Sequence, residues 1–400
     1  MTRFHVDFLG CKVSHADAQG IRERLLADGH SDARGGAAEV AVISGCCVTN
    51  EALAKSRKAA ARAARTHRLV YLTGCSANLA GAGLAGLPGN VKVVARRAEE
   101  TAAFVAGDVG AIGCVQADAR LDRVRAFVKI QDGCSFSCAF CVIPLVRGGS
   151  RSRSADAVLA EIRRRVGQGH REVVLTGINL GCFRDRAAGH DLPSLVRTAA
   201  EIPGLERLRL SSIEINHVSD ALVAALRETP KVAKHLHVPL QSGDDGVLRA
   251  MGRRYTTRTF VTRLEKLAGE FNLTSDVIVG FPAEDETAFL NTLKTVERSG
   301  ITKVHVFPYS PRPGTRTAEA DPVSPQRKKE RGARLRACSR ELERRRWQTK
   351  LGQDDVVLID RPGRGYGGDY SPFLVEGPVG VLVRVRALAV TEEGIRAVAA

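Results

Sequence analysis

Three thiols lie within eight residues, Cys134-Ser-Phe-Ser-Cys138-Ala-Phe-Cys141, just after the apolar-leaning run Ala126-Phe127-Val128-Lys129-Ile130. A strand ends there, and a tight loop then carries the three sulfurs toward one point. A 4Fe–4S cluster is normally held by four cysteines, so a compact set of three leaves one iron open to a substrate or cofactor. A structural zinc would need a fourth Cys or His close by. None stands near, and His67 and His170 are distant in the chain. The spacing favours an iron–sulfur cluster.

The chain has ten cysteines in all, so its redox setting matters. The opening Met1-Thr-Arg-Phe-His-Val-Asp-Phe8 lacks the apolar core of a signal peptide, and no run approaches the ~20 apolar residues of a membrane span. Reduced, metal-binding thiols in a cytoplasmic protein without membrane contact are therefore expected, rather than disulfides. The formal net charge of +16 points toward a polyanionic partner. With hydrophobic residues at 44% and aromatics at 5%, the cores must rest on Leu, Val, Ile and Ala.

The first hundred residues alternate. Residues 4–9, Val40–Ile43, Leu69–Leu72 and Val91–Val94 read as strands, with helical patterns at about Ala16–Leu26 and Glu51–Arg65 between them. Such alternation implies a parallel sheet whose carboxyl ends collect the functional residues. Cys11, Cys46 and Cys75 each lie two or three residues past a strand, so the sheet would gather them at one edge as a second three-thiol site. Small buried cysteines are the plainer reading of any one of them. Cys47 adjoins Cys46 and competes with it as a ligand. Residues 106–123 read as a linker, with Cys114 incidental.

From 126 onward six βα-like units follow, with strands at 126–130, 172–175, 206–210, 235–240, 274–279 and 303–307. Each is succeeded by a polar or Gly-bearing segment, as at the carboxyl ends of a β/α barrel. Six units rather than eight imply a partial barrel, open on one side to a large substrate. A basic helix spans about Ser324–Leu351, with Leu335, Cys338 and Leu342 on its packing face. Short strands at Val356–Ile359, Phe373–Val375 and Val379–Val385 then suggest a small antiparallel barrel. The fold class is α/β in three domains: a parallel-sheet cluster domain over 1–115, a partial (β/α)6 barrel over 120–345, and a small β-barrel over 346–400.

The whole chain resembles the radical S-adenosylmethionine (SAM) methylthiotransferases, which carry an N-terminal cluster domain, a radical SAM barrel and a C-terminal TRAM domain. The resemblance rests on Leu9-Gly-Cys11-Lys-Val13, Gly45-Cys46-Cys47-Val-Thr49-Asn50, Thr73-Gly74-Cys75, and Arg125-Ala-Phe-Val-Lys-Ile-Gln-Asp-Gly-Cys134. It continues through Cys141-Val-Ile-Pro-Leu-Val-Arg-Gly148, Arg151-Ser-Arg153, Leu210-Ser-Ser-Ile-Glu214, His237-Val-Pro-Leu-Gln-Ser242, Asp276-Val-Ile-Val-Gly-Phe-Pro282 and Phe307-Pro-Tyr-Ser-Pro-Arg-Pro-Gly-Thr315. The first and last of these runs are most similar to the branch acting on threonylcarbamoyladenosine in tRNA. Departures are Ser44-Gly45 where the family has Asn-Thr, Cys47 where it has Thr, and Ser14 where it has Asn. They bear on hydrogen bonding around the second thiol set.

The resemblance implies that Cys134, Cys138 and Cys141 hold the cluster that reduces SAM, and that Cys11, Cys46 and Cys75 hold an auxiliary 4Fe–4S cluster carrying the sulfur to be transferred. Thr176, Gly177, Ser212, Glu214 and Gln241, all past strand ends, are the expected SAM contacts. The product would be a methylthio group on carbon 2 of N6-threonylcarbamoyladenosine in a tRNA anticodon loop, with electrons from a reductase or flavodoxin-type donor. Arg147, Arg151, Arg153, the arginines of 327–346 and those of the terminal barrel are the expected phosphate contacts. Three alternatives remain open: isopentenyladenosine in tRNA, an aspartate of a ribosomal protein, and a non-catalytic iron–sulfur RNA-binding protein. Arg361, Arg364, Arg384 and Arg386 argue against the protein substrate.

Overall fold

The computed structural model describes residues 1–33, 38–110 and 124–400, which fold as two compact units. The first takes Met1–Arg120, Asp132–Ser150 and Ser310–Ala320; the second takes Leu121–Gln131, Arg151–Tyr309 and Asp321–Ala400.

In the first unit the elements run β1 (Arg3–Phe8), α1 (Lys12–Ala27), β2 (Ser31–Asp32), β3 (Val40–Gly45), α2 (Asn50–Ala63), β4 (Leu69–Gly74), β5 (Val91–Val93) and α3 (Ala98–Val109). The sheet is wholly parallel in the order β2-β1-β3-β4-β5. The unbroken apolar run of β3 follows from burial on both faces. Val40 and Val42 pack with Phe4, Ile21, Leu25 and Tyr71 on one side, while Ala41 and Ile43 pack with Ala60, Val70 and Leu72 on the other. Thr49 caps α2, its hydroxyl accepting from the Ala52 amide at 3.1 Å. The linker expected from residue 106 begins inside α3, where Val105 and Ala106 are buried. Residues 111–123, Cys114 included, lie outside the described residues. The segment 132–150 contributes the short helix α4 (Ile143–Arg147).

The second unit holds six parallel strands: β6 (Arg125–Asp132), β8 (Glu172–Gly177), β11 (Arg207–Leu210), β12 (His235–His237), β13 (Asn272–Val279) and β14 (Ile301–Pro308), with β7 (Arg151–Ser152) at one edge. They form two sheets, β11-β8-β6-β7 and β12-β13-β14, joined by the bridges Leu208↔Val232 and Ser212↔His237. A partial six-stranded α/β barrel results, as the repeated units imply. Its outer faces are covered by α5 (Ala155–Gly167), α6 (Leu192–Ala200), α7 (Asp220–Glu228), α8 (Asp245–Ala250), α9 (Thr257–Glu265), α10 (Glu286–Arg298) and α11 (Pro325–Gln348) around one apolar core. Leu335 is buried in that core, with Cys338 and Leu342 packed against it. A small hairpin of β9 (Arg184–Asp185) and β10 (His190–Asp191) interrupts the second unit's helices.

The last strands are β15 (Asp354–Arg361), β16 (Arg364–Tyr366), β17 (Pro372–Leu374), β18 (Leu382–Val390) and β19 (Ile395–Ala399), a closed barrel in the order β15-β16-β17-β19-β18. The expectation of an all-antiparallel barrel needs one correction: β17 and β19 pair in parallel, and that pair shuts the barrel. The 366–371 turn docks at the amino ends of the α/β strands. Glu172 there is fully buried between Arg209 at 2.9 Å and Arg207 at 3.2 Å, and Arg209 lies 4.6 Å from the Tyr370 ring centroid. Lys234 donates its amide to the Gly368 carbonyl, and Asn272 Nδ2 to that of Asp369. The small barrel therefore closes the end opposite the strand carboxyl termini.

Candidate active site

The loop after β6 is shaped by glycine. Gly133 has φ +68°, and a Cβ there would sit 2.1 Å from the Gly149 carbonyl oxygen and 2.6 Å from that of Gly148. That approach lets the Cys134 amide donate to the Gly148 carbonyl at 3.0 Å, closing both ends of the segment on each other. Cys134, Cys138 and Cys141 are all half-buried. The Cys141 amide donates to the Cys138 carbonyl at 3.2 Å, and the Phe136 amide points at the Cys134 sulfur at 3.4 Å. The three thiols thus lie on one loop whose two ends are hydrogen-bonded to each other.

Cys11, Cys46 and Cys75 are brought to one sheet edge as well. The Leu9 amide donates to the Ser44 carbonyl at 2.8 Å, Gly45 pairs with Gly74 in register, and a Cβ on Gly10 would lie 3.5 Å from the Cys46 sulfur. Cys11 is the exposed N-cap of α1, while Cys46 and Cys75 are buried. Burial pushes the Cys46 thiol up to about 11, with Cys75 and Cys11 adding in the same sense. Cys75 is held below the ordinary thiol range by a hydrogen bond from Cys47 and by Arg147, against its own burial. Cys47 is correspondingly pushed up and packs among Leu79, Ala82, Val142 and Val146. Gly45, one of the family departures, has a local reason: its Cβ would collide with Ser76 Oγ. Ser14 Oγ stands 3.8 Å from the Cys11 sulfur.

Two arginines bind these loops together. Arg147, an expected phosphate contact, has a side chain only 7% exposed that donates to Cys75 Sγ at 3.1 Å, Asp132 Oδ1 at 3.0 Å and Asp17 Oδ2 at 3.0 Å. That expectation is corrected, because a guanidinium already paired with two carboxylates inside the protein cannot reach RNA. Arg312, in the Pro-Arg-Pro run, is 1% exposed; it donates to the Cys47 carbonyl at 3.2 Å and to Asn50 Oδ1. Farther along, Thr317 Oγ1 and Arg316 Nη2 donate to the Ala139 and Ser137 carbonyls at 3.1 and 2.7 Å. Residues 310–320 are therefore a strap tying the Cys46 loop to the Cys134 loop. Spacing in the sequence gave no signal of this role.

Donor chemistry in this unit suits iron–sulfur clusters: two sets of three thiols, one thiol already favoured as thiolate, and apolar packing behind. His67, distant from the Cys134 loop in the chain, has Nδ1 engaged with the Ala63 carbonyl at 2.9 Å. Among the described residues no group of three or more His, Cys, Asp or Glu side chains already closes at metal-holding geometry.

The expected SAM contacts lie in the second unit, past the strand ends. Thr176 and Gly177 end β8 and are buried; Ser212 bridges to His237. Gln241 has φ +67°, rare for a residue with a Cβ, and its backbone is fixed by Asp276 and Ile278. Glu214 spends its carboxylate on the Asn216 amide at 2.9 Å and on Arg253 at 3.3 Å. Two neighbours in the same post-strand segments, not named among the expected contacts, carry unsatisfied buried oxygens, Asn179 Oδ1 and Ser211 Oγ. Buried polar atoms without partners are costly unless a ligand supplies them, so the β8 and β11 ends suit a small polar cofactor. Cys182 contacts His217 Nε2 at 3.4 Å.

Residues 128–296 match the radical SAM superfamily, and residues 3–95 match an uncharacterized protein family, UPF0004. The threonylcarbamoyladenosine tRNA methylthiotransferase MtaB of Bacillus subtilis is 34% identical over 96% of this chain and 93% of its own length. The tRNA-2-methylthio-N(6)-dimethylallyladenosine synthase of Zymomonas mobilis is 30% identical over 95% of this chain and 92% of its own. In three dimensions the chain is similar to the radical SAM methyltransferase TsrM of Kitasatospora setae, with TM-score 0.55 and 12% identity, covering 80% of this chain and 75% of that one.

Proposed function

The chain belongs to the radical SAM tRNA methylthiotransferases, and from that premise we propose that it adds a methylthio group to carbon 2 of N6-threonylcarbamoyladenosine beside the tRNA anticodon, using two 4Fe–4S clusters. The observation that carries the two-cluster reading is the gathering of both cysteine sets into one compact unit, although Cys75 and Cys134 are far apart in sequence. In this reading Cys134, Cys138 and Cys141 hold the SAM-reducing cluster, and Cys11, Cys46 and Cys75 the auxiliary one. SAM bound to a reduced cluster supplies a radical able to attack an unactivated aromatic carbon–hydrogen bond, which acid–base side chains cannot do.

The protein's own residues do the rest. Gly133 and the Cys134–Gly148 hydrogen bond hold the ligand loop closed, and Asn179 Oδ1 and Ser211 Oγ offer acceptors to the cofactor, beside Thr176, Gly177, Ser212, Glu214 and Gln241. Arg384 and Arg386, with side chains 70% and 59% exposed, suit tRNA phosphates. An unpaired adenosine in an anticodon loop is open to extrusion into a pocket. Among the described residues no helix is long and apolar enough to cross a membrane.

Extent of alignment supports the threonylcarbamoyl substrate: MtaB relatives match over 96–99% of this chain, whereas dimethylallyladenosine synthases at 36–39% identity match over only 60–67% of it. The test is anaerobic reconstitution, then reaction with SAM, a flavodoxin-type reductant and tRNAs bearing either modified adenosine, read by nucleoside mass spectrometry. Methylthiolation of the threonylcarbamoyl nucleoside with about eight irons per chain supports the reading. Product only on the isopentenyl-type nucleoside overturns the substrate, and bound zinc overturns the chemistry.

A further inference from the structure

Arg147 addresses three partners by three different edges of one planar group. Nε faces the Cys75 sulfur at 3.1 Å, Nη1 faces Asp132 at 3.0 Å, and Nη2 faces Asp17 at 3.0 Å. The partners come from the loop after β4, the end of β6 and α1 respectively, and the two carboxylate side chains are 15% and 5% exposed. A lysine, a single point donor on a flexible stem, cannot serve three such directions at once. The arginine closes α4, directly beyond the Cys134–Cys141 loop, and so joins that loop to a thiol of the other set.

We propose that Arg147 is a positioning residue which fixes the Cys75 sulfur through an N–H···S hydrogen bond and thereby raises the reduction potential of the cluster that Cys75 ligates. The inference rests on the auxiliary-cluster reading above. A donor to a ligating sulfur withdraws charge from the cluster and favours the reduced form, and a buried guanidinium beside it acts in the same sense. Asp17 and Asp132 hold the guanidinium in its plane, so that the Nε–H has one direction to point.

The experiment uses the full chain with Cys134, Cys138 and Cys141 replaced by Ala, so that a single cluster is observed. Iron content and the midpoint potential, by redox titration followed with electron paramagnetic resonance, are measured with Arg147, Arg147→Met and Arg147→Lys. The expected result is a midpoint displaced to more negative potential in Arg147→Met, and displaced less in Arg147→Lys, at unchanged iron content. A merely structural arginine would lower the melting temperature and leave the midpoint where it was; an unmoved midpoint overturns the proposal. Should Arg147→Met fail to hold iron, the Lys variant decides on the same criterion. Cys75→Ala in the same background tests the underlying reading separately: four irons retained there would mean that Cys75 is not a ligand, whatever Arg147 does.

Discussion

Replacing Gly133 by Ala should remove the SAM-reducing cluster while leaving the rest of the fold standing. The new Cβ would lie 2.1 Å from one backbone oxygen and 2.6 Å from another, separations that real Cβ atoms essentially never show. Neither neighbour is a flexible side-chain end, so the backbone has to move. Holding alanine at φ +68° costs about 1–2 kcal/mol, and the overlap adds roughly 1–3 kcal/mol if nothing relaxes. The cheaper outcome is to break the Cys134 amide–Gly148 carbonyl bond, whose net worth is about 0.5–1.5 kcal/mol, and let the loop open. The penalty to global stability is then capped near that smaller figure, with a melting shift of only a few degrees. The cost falls on the site, because three sulfurs on an open loop no longer converge. Gly149→Ala is the internal control, since its Cβ would meet only Ser135 Oγ at an ordinary 3.5 Å. Anaerobic iron analysis and reductive SAM cleavage provide the assay. The expected pattern is about half the iron and no SAM cleavage for Gly133→Ala, and wild-type values for Gly149→Ala. Full iron and normal cleavage in Gly133→Ala would refute the reasoning.

Arg312→Met removes the donor to the Cys47 carbonyl and to Asn50, leaving the buried Cys47 carbonyl unpaired at about 1–3 kcal/mol; the strap should loosen and, on the two-cluster reading, iron should be lost faster to a chelator, followed by absorbance. Glu172→Gln strands two buried arginines and should cost on the order of 3–5 kcal/mol, read as denaturant unfolding by Trp347, the chain's single tryptophan and part of the small barrel's core. Acid should act in the same place. Burial pushes the Glu172 and Asp369 carboxyls up, but Arg209 and Arg207 for the one, and Lys350 and Arg346 for the other, outweigh it and leave both below the ordinary range. A carboxyl depressed in the folded state contributes stability above its unfolded pKa of about 4, and that contribution drains away as pH falls through the folded value. Trp347 fluorescence should therefore report loosening of the barrel below about pH 4 and no change between about pH 6 and 8. Arg384→Ala with Arg386→Ala should weaken tRNA binding at low salt and flatten the slope of log K against log[salt] by roughly 0.7–0.9 per lost phosphate contact.

The elements legible in the sequence are those in which one residue's chemistry or one run's apolarity decides the matter. Val40–Ile43 is apolar throughout because β1 and β4 flank it and both its faces are buried; Val173-Val174-Leu175 of β8, also buried on both faces, shares that logic. Cysteine is rare and chemically specific, so three after successive strands point to a site by type alone. Arginine carries no such mark. Arg147 and Arg384 look equivalent in a basic chain, yet one is locked between two carboxylates and a sulfur while the other is 70% exposed, and the difference is made by Asp17 and Asp132, which α1 and β6 supply. Strands β16 and β19 escaped for a related reason: they are short, hold Gly or Arg between their apolar positions, and exist because the closed barrel pairs them. The 310–320 strap is the clearest instance. Its hydrogen bonds end on the backbone carbonyls of Cys47, Ser137 and Ala139, and a carbonyl is the same at every residue. Candidate ligands are thus marked locally, whereas the packing that brings the two thiol sets into one unit depends on groups with no identity of their own. Substitutions in the strap should therefore disturb cluster retention without touching a sulfur.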